Sequence, residues 1–125
     1  MSETAPRGSR QLQESLKYQN QAALTLARAG YRVRQLPKRE GEPSPDFEIE
    51  GRTFDCHTPD QQTPADSVRR SLSRKSKEQA SRFILNLDRS GLDATEIRRR
   101  MLAMPSRDVR EVLVVRNDMV SRIWP

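Results

Sequence analysis

The stretch PSPDFEIEGRTFDCHTP, residues 43–59, constrains the fold of this chain more than any other. Phe47–Ile49 and Arg52–Phe54 are short strand-like runs on either side of Gly51, a residue that accepts tight-turn backbone angles without steric cost. Prolines fence both ends and limit how far the strands run. The hairpin so predicted carries Asp46 and Asp55, nine residues apart, near its open end. On paired strands the two acids can face each other. Carboxylates that close together repel unless a cation lies between them, and a hard divalent ion held by oxygen ligands is one solution. Such an ion serves phosphodiester hydrolysis by polarising a phosphoryl oxygen and acidifying water. A plainer reading stands beside this one: Asp46 after Pro45 could begin a turn, and Asp55 could be an exposed strand residue paired with an arginine.

The rest of the chain supplies layers for such a hairpin to join. Residues 1–10 are small, polar and aperiodic, and read as a flexible lead-in to a single domain over 11–125. A helix is predicted over 12–29, with Leu12, Leu16, Ala23, Leu26 and Ala27 as its apolar stripe and Gly30 as its stop. YRVRQLP follows as a short strand, and 38–45 as a loop. A helix over about 67–80 has Asp66 or Ser67 as cap and is densely basic, with Arg69, Arg70, Arg74, Lys75 and Lys77. RFILNLD is apolar enough for a buried central strand. A third helix has Asp93 or Thr95 as cap, Leu92, Ile97, Met101 and Leu102 as its stripe, and Pro105 as its stop. Strands 110–116 and 119–124, joined through Asn117-Asp118, close the chain. The order α-β-β-β-α-β-α-β-β predicts an α/β fold, a mixed β-sheet flanked by helices.

At 125 residues the chain is long enough for a core without disulfide staples. Its one cysteine, Cys56, excludes an internal disulfide and a Cys-rich zinc site, and its one histidine, His57, excludes a two-histidine metal site. No apolar run approaches the roughly 20 residues of a membrane span, which predicts a soluble chain with no membrane partner. The net charge of +6, from 23 basic and 17 acidic residues, favours a polyanionic partner, nucleic acid or acidic protein. In the basic helix, Lys75 and Lys77 are candidates to neutralise a scissile phosphate.

Four ordered segments carry a resemblance. QNQAALTLARAGYRVRQLP resembles a first helix of pattern E-N-x-x-A-x-x-L-A-x-x-G-Y-x-V. PDFEIEGRTFDCHTP, LSRKSKEQASRFILNLD and the terminal REVLVVRNDMVSRIWP match further segments of the same family. Together, over about residues 18–125, the chain resembles the C-terminal tRNA-nuclease toxin domain of CdiA contact-dependent growth inhibition proteins.

That resemblance implies a restriction-endonuclease-like, PD-(D/E)xK core and a metal-dependent tRNA endonuclease. It places Asp46 and Asp55 on the metal-binding acids and Lys75 on the active-site lysine, with Lys77 in reserve. The ordinary motif sets its lysine two residues after the second acid, where this chain has His57. The family's first helix carries a glutamate where this chain has Gln19, which keeps the shape and can ligate through its carbonyl but cannot act as a base. Glu14, about 140° round the helix, is a poor replacement. The implied ion is Mg2+, with Mn2+ or Zn2+ as alternatives. Arg69, Arg70, Arg74, Lys77 and Gln79 are the expected nucleic-acid contacts, with Gln79 on the same helix face as Lys75. A toxin of this kind implies a cognate acidic immunity protein, and delivery from a cell-surface exoprotein into the cytoplasm of a target bacterium. Rival readings are a nuclease-fold module that binds without cutting, kept open by Gln19, and a metal-dependent DNase. Cys56 is expected to face the core, Asn86 to satisfy buried backbone, and Trp124 to pack, with base stacking as its alternative.

Overall fold

The computed structural model describes residues 7–37 and 44–125, with side chains of the first helix described from Gln13 onward. Most of the expected 38–45 loop therefore lies outside the described residues, as do residues 1–6 of the expected lead-in. Arg7–Arg10, also assigned to that lead-in, are instead the start of a helix.

Among the described residues, three helices and six strands follow in the order α1 (Arg7–Arg28), β1 (Val33–Gln35), β2 (Phe47–Ile49), β3 (Arg52–His57), α2 (Ala65–Lys75), β4 (Arg82–Asn86), α3 (Ala94–Ala103), β5 (Glu111–Arg116) and β6 (Met119–Trp124). The strands form one mixed sheet in chain order, β1 to β6. β1, β2 and β3 are antiparallel, β3–β4 and β4–β5 are parallel, and β6 returns antiparallel on β5. Each parallel step needs a crossover, which α2 and α3 supply. Both pack on one sheet face through Val68, Leu72, Ile97 and Met101, against Phe83, Leu85, Val112 and Val114. The other face carries α1, with Ala22 and Leu26 against Phe47, Phe54, Ile84 and Leu113. Alternate residues of β4 thus feed opposite cores, as a central strand buried on both faces must. Each large apolar side chain so buried contributes about 1.5–3 kcal/mol, more than an exposed ion pair returns.

The turns follow from residue chemistry. Glu50 and Gly51 both have positive φ, 52° and 87°, between β2 and β3, the geometry of a two-residue primed turn. Asn117 and Asp118, at 51° and 63°, repeat it between β5 and β6. Gly30, at φ 102°, ends α1: its N–H donates to Ala27 O and that of Tyr31 to Leu26 O, a Schellman closure.

Several sequence expectations are corrected. On α1, Leu16 and Ala27 are exposed, while Gln19, Ala22, Thr25 and Leu26 are buried. Thr25, one of the polar members of that face, has a fixed partner: its Oγ1 donates to Asp118 Oδ1 at 3.1 Å. Leu102 of α3 is likewise exposed. Helix α2 begins one residue after Pro64, with no side-chain cap; Asp66 instead binds Arg69 at 2.8 Å. It also ends at Lys75, so Gln79 lies on the following turn, where its N–H donates to Lys75 O at 2.8 Å. For α3, Asp93 is the cap, accepting from Thr95 N–H at 2.9 Å.

Candidate active site

The last paired residues of the hairpin, Phe47 and Phe54, leave Asp46 and Asp55 adjacent, one beyond the pair on each strand. Three backbone bonds fix the first acid. Asp46 N–H donates to Phe54 O at 3.0 Å, Leu36 N–H donates to Asp46 O at 2.9 Å, and Cys56 N–H donates to Asp46 Oδ2 at 2.8 Å. The second acid sits on β3 where that strand leaves β2 for parallel pairing with β4, opposite Phe83. Asp46 and Asp55 are only 4% and 3% exposed. Both line one cleft of about 210 Å3, shared with Gln19, Lys75 and Gln79. The structure thus brings together five polar residues singled out in the sequence, from α1, the hairpin, the end of α2 and the turn beyond it.

Lys75 reaches this cleft from the last turn of α2, with Nζ 3.8 Å from Asp55 Oδ2 and 3.5 Å from His57 Nδ1. His57, two residues after Asp55, is thus a direct neighbour of Lys75. Burial, aided by the positive charges of Lys75 and Arg74, lowers the His57 pKa from 6.5 to about 4. Its imidazole is therefore neutral at pH 7, and Nδ1 accepts from the ammonium. That puts the ring proton on Nε2, which is buried without a hydrogen-bond partner among the described residues. The lowered pKa ties stability to pH: between about pH 6.5 and 4 the unfolded chain binds a proton that the folded chain does not. Stability present above pH 6.5 is lost as the pH falls through that window, by on the order of 3 kcal/mol from this group. Denaturant unfolding of the parent and of His57→Gln at several pH values checks this: the variant should show the shallower acid slope.

Gln19 is 6% exposed and is placed by its neighbours. Asn86, fully buried on β4, donates from Nδ2 to Tyr18 O at 3.0 Å and accepts from Asp88 N–H at 3.1 Å. It satisfies buried backbone and docks the helical turn that carries Gln19. Gln21 Nε2 donates to Asp88 Oδ2 at 3.0 Å along the same seam. Asp46, Asp55 and Gln19 carry oxygen donors, the kind of ligand a hard divalent cation prefers. Among the described residues no group of three or more His, Cys, Asp or Glu is placed to hold a metal ion; a glutamine at position 19 leaves the cleft with two acids.

Cys56 packs against the core on the α1 side of the sheet. Burial pushes its thiol up to about 12, with the Asp46 and Asp55 carboxylates adding to the effect, so it is no nucleophile at neutral pH. A thiol reagent such as dithionitrobenzoate at pH 8 should label the native chain at least about tenfold more slowly than the denatured one.

The basic residues separate into two groups. Arg69 and Arg70 both pair with Asp66 near the start of α2, at 2.8 and 3.5 Å, and neither lines the cleft. Arg74 and Lys77 are exposed, and Arg74 is near enough to act on His57. Trp124 packs against the core on the α2–α3 side and donates from Nε1 to Val109 O at 3.1 Å. Beside the acid cleft lies a second cavity of about 490 Å3, lined by Glu14, Tyr18, Thr58, Asp60 and Arg89 as well as by Gln19, His57 and Lys75. Arg89 and Tyr18 belong to no local motif, and only the docking of α1 against the loop after β4 brings them together.

Comparison with known proteins bears on the family and the fold. The chain is 32% identical over 101 residues to the tRNA nuclease CdiA-2 of Burkholderia pseudomallei strain 1026b, matching 81% of this chain and 3% of that much longer protein. Its fold matches a chain of the CdiA-CT/CdiI toxin and immunity complex from Burkholderia pseudomallei with a TM-score of 0.79 and 26% identity, over 100% of this chain and 93% of that one. The family model of the contact-dependent growth inhibition CdiA C-terminal domain matches residues 43–120, the span from the hairpin acids through α2 and the central strands, and the chain belongs to that family.

Proposed function

We propose that this domain is a metal-dependent tRNA endonuclease with a PD-(D/E)xK-type core, acting as the toxin of a contact-dependent growth inhibition system. The observation that carries the proposal is the convergence of Asp46, Asp55, Gln19 and Lys75 on one cleft, with Lys75 held between Asp55 and His57. Asp46 and Asp55, joined by the Gln19 amide oxygen, would hold a divalent cation, Mg2+ first and Mn2+ or Zn2+ as alternatives. Such a cation, when bound, polarises the scissile phosphate and acidifies water. Lys75 offsets the negative charge that builds on the phosphate. Gln19 can orient water by hydrogen bonding but cannot take its proton.

A tRNA substrate is supported by the name of the curated relative and by the net charge of +6. Arg74 and Lys77, exposed beside Lys75, are the phosphate contacts this reading favours, with Gln79 at the cleft wall; Arg69 and Arg70 are committed to Asp66. An acidic immunity protein is the natural inhibitor of a basic cleft, and the fold match to a toxin taken from a toxin–immunity complex supports such a partner. Delivery would be as the C-terminal part of an exoprotein, into the cytoplasm of a target bacterium.

Gln19 favours a second reading, a nuclease-fold module that binds RNA with weak or no cleavage. Incubating the chain with total tRNA and each ion separates the two. In either case RNA binding is electrostatic: from about 50 to 200 mM salt, affinity for tRNA should fall about tenfold or more, measured by anisotropy with the Asp55→Asn chain. Salt-insensitive binding would contradict the assignment of Arg74 and Lys77.

A further inference from the structure

The acid cleft does not end at Lys75. It shares Ser15, Gln19, Cys56 and Lys75 with the cavity of about 490 Å3, which in turn shares Asp60 and Arg89 with a third, of about 330 Å3, against Gln61 and Gln62. The three share walls in series, a trough that leads away from the acid pair through Lys75 and then Arg89. We propose that this trough is a subsite for one unpaired nucleotide beside the scissile phosphate, with Arg89 and Tyr18 as its stacking platform and the Glu14 and Asp60 carboxylates as acceptors for base amino groups. The proposal rests on the nuclease reading of the acid pair and adds to it the state of the RNA that is bound.

The lining favours a base over a backbone. A track for phosphates alone would be basic throughout, and Glu14 and Asp60 would repel them. Carboxylates instead accept hydrogen bonds from exocyclic amino groups, as an acidic side chain does from cytosine. Asp60 is held for this by its neighbours: its Oδ1 accepts from Gln62 N–H and from the Thr63 hydroxyl, both at 2.9 Å. Arg89 is pre-set as well. Its guanidinium lies 5.3 Å from the Tyr18 ring centroid, its Nη2 is 3.2 Å from Glu14 Oε2, and its side chain remains 41% exposed. The guanidinium stands over the Tyr18 ring, which backs it, and its exposed plane is a surface on which a base stacks whatever its sequence. The central cavity lies within the range, roughly 300–1,000 Å3, that encloses a single small organic molecule, and a base in a duplex has both faces and its pairing edge already occupied.

The test measures binding without cleavage. Labelled short single-stranded RNA, and a duplex of the same sequence, are titrated by anisotropy into the Asp55→Asn chain alone and with Arg89→Ala, Arg89→Lys or Tyr18→Leu added. Lysine keeps the charge and the ion pair with Glu14 but lacks the plane, so it separates stacking from a structural role, and it carries the test if Arg89→Ala does not fold. We expect tighter binding of single strand than of duplex. We also expect a loss of roughly fivefold to a hundredfold for single strand in Arg89→Lys and in Tyr18→Leu, with duplex binding and the thermal unfolding midpoint of Arg89→Lys unchanged. Equal affinity for the two RNAs, or parental single-strand affinity in Arg89→Lys, would overturn the proposal. Failure of the nuclease reading shows differently, as intact tRNA after incubation of the parent chain with every ion.

Discussion

Asp55→Asn is expected to lower tRNA cleavage by at least about 100-fold, the scale on which a site loses rate when one group stabilising the transition state is removed. Asn keeps the shape and one carbonyl oxygen but removes the charge. Two effects then act together. The oxygen set offered by Asp46, Asp55 and Gln19 loses half its carboxylates, and Lys75 loses the partner that its Nζ approaches at 3.8 Å. The fold should survive, because the core on either side of the sheet is apolar and does not include Asp55. Asp55→Ala should remove cleavage as well, with a larger cost in stability, since it empties a position only 3% exposed and takes the carboxylate away from the largely buried Lys75 ammonium. Cleavage rates on total tRNA, beside thermal unfolding of both variants, check the two statements separately. Parental cleavage by Asp55→Asn would remove that residue from the chemistry.

Gln19→Glu is expected to act in the opposite direction, raising cleavage by about tenfold or more. The side chain is buried in the cleft shared with both acids and Lys75, so a carboxylate there adds an anionic donor beside the ion and a group able to accept a proton from water. The same change carries a signature independent of activity. Three carboxylates in a buried cleft repel one another in the absence of a cation, so Gln19→Glu should unfold at a lower temperature than the parent in chelator. It should then gain more from added divalent ion than the parent does, because ligand binding to the folded state raises stability by mass action. Toxicity in cells without an immunity protein should rise in step. If Gln19→Glu cleaves like the parent while Asp55→Asn is dead, α1 contributes no catalytic group in this chain.

The hairpin and its acids were legible because their signals are local. Gly51 after Glu50 permits the primed turn, and the two short runs beside it fix the strands. What local signals could not reveal is set by distant partners. β3 continues to His57, three residues past the expected Phe54, because Asp55, Cys56 and His57 pair with Phe83, Ile84 and Leu85. Helix α2 stops at Lys75 although its sequence stays polar and helix-compatible to Gln79, because the chain must turn there to deliver buried Ala80 and β4 to the sheet. Of the apolar stripe expected on α1, Leu26 is buried and Ala23 packs on the core, but Leu16 and Ala27 are exposed while Gln19 and Thr25 are buried, so polarity did not mark the exposed side. The basic helix reads as one phosphate track, and nothing local marks that Arg69 and Arg70 also pair with Asp66. Arg89, in a loop with no motif of its own, gave no sign of its place beside Tyr18.

The most direct test of the nuclease reading is a single gel. The purified chain is incubated with total tRNA in parallel with magnesium, manganese, zinc and excess chelator, with Asp55→Asn and Gln19→Glu beside it. Discrete tRNA fragments are expected with at least one ion and none with chelator, with fragments lost in Asp55→Asn and increased in Gln19→Glu. Intact tRNA in every lane of the parent and of Gln19→Glu would contradict the nuclease reading and leave an RNA-binding module; fragments of equal intensity in chelator and in Asp55→Asn would contradict both the ion and the acid pair.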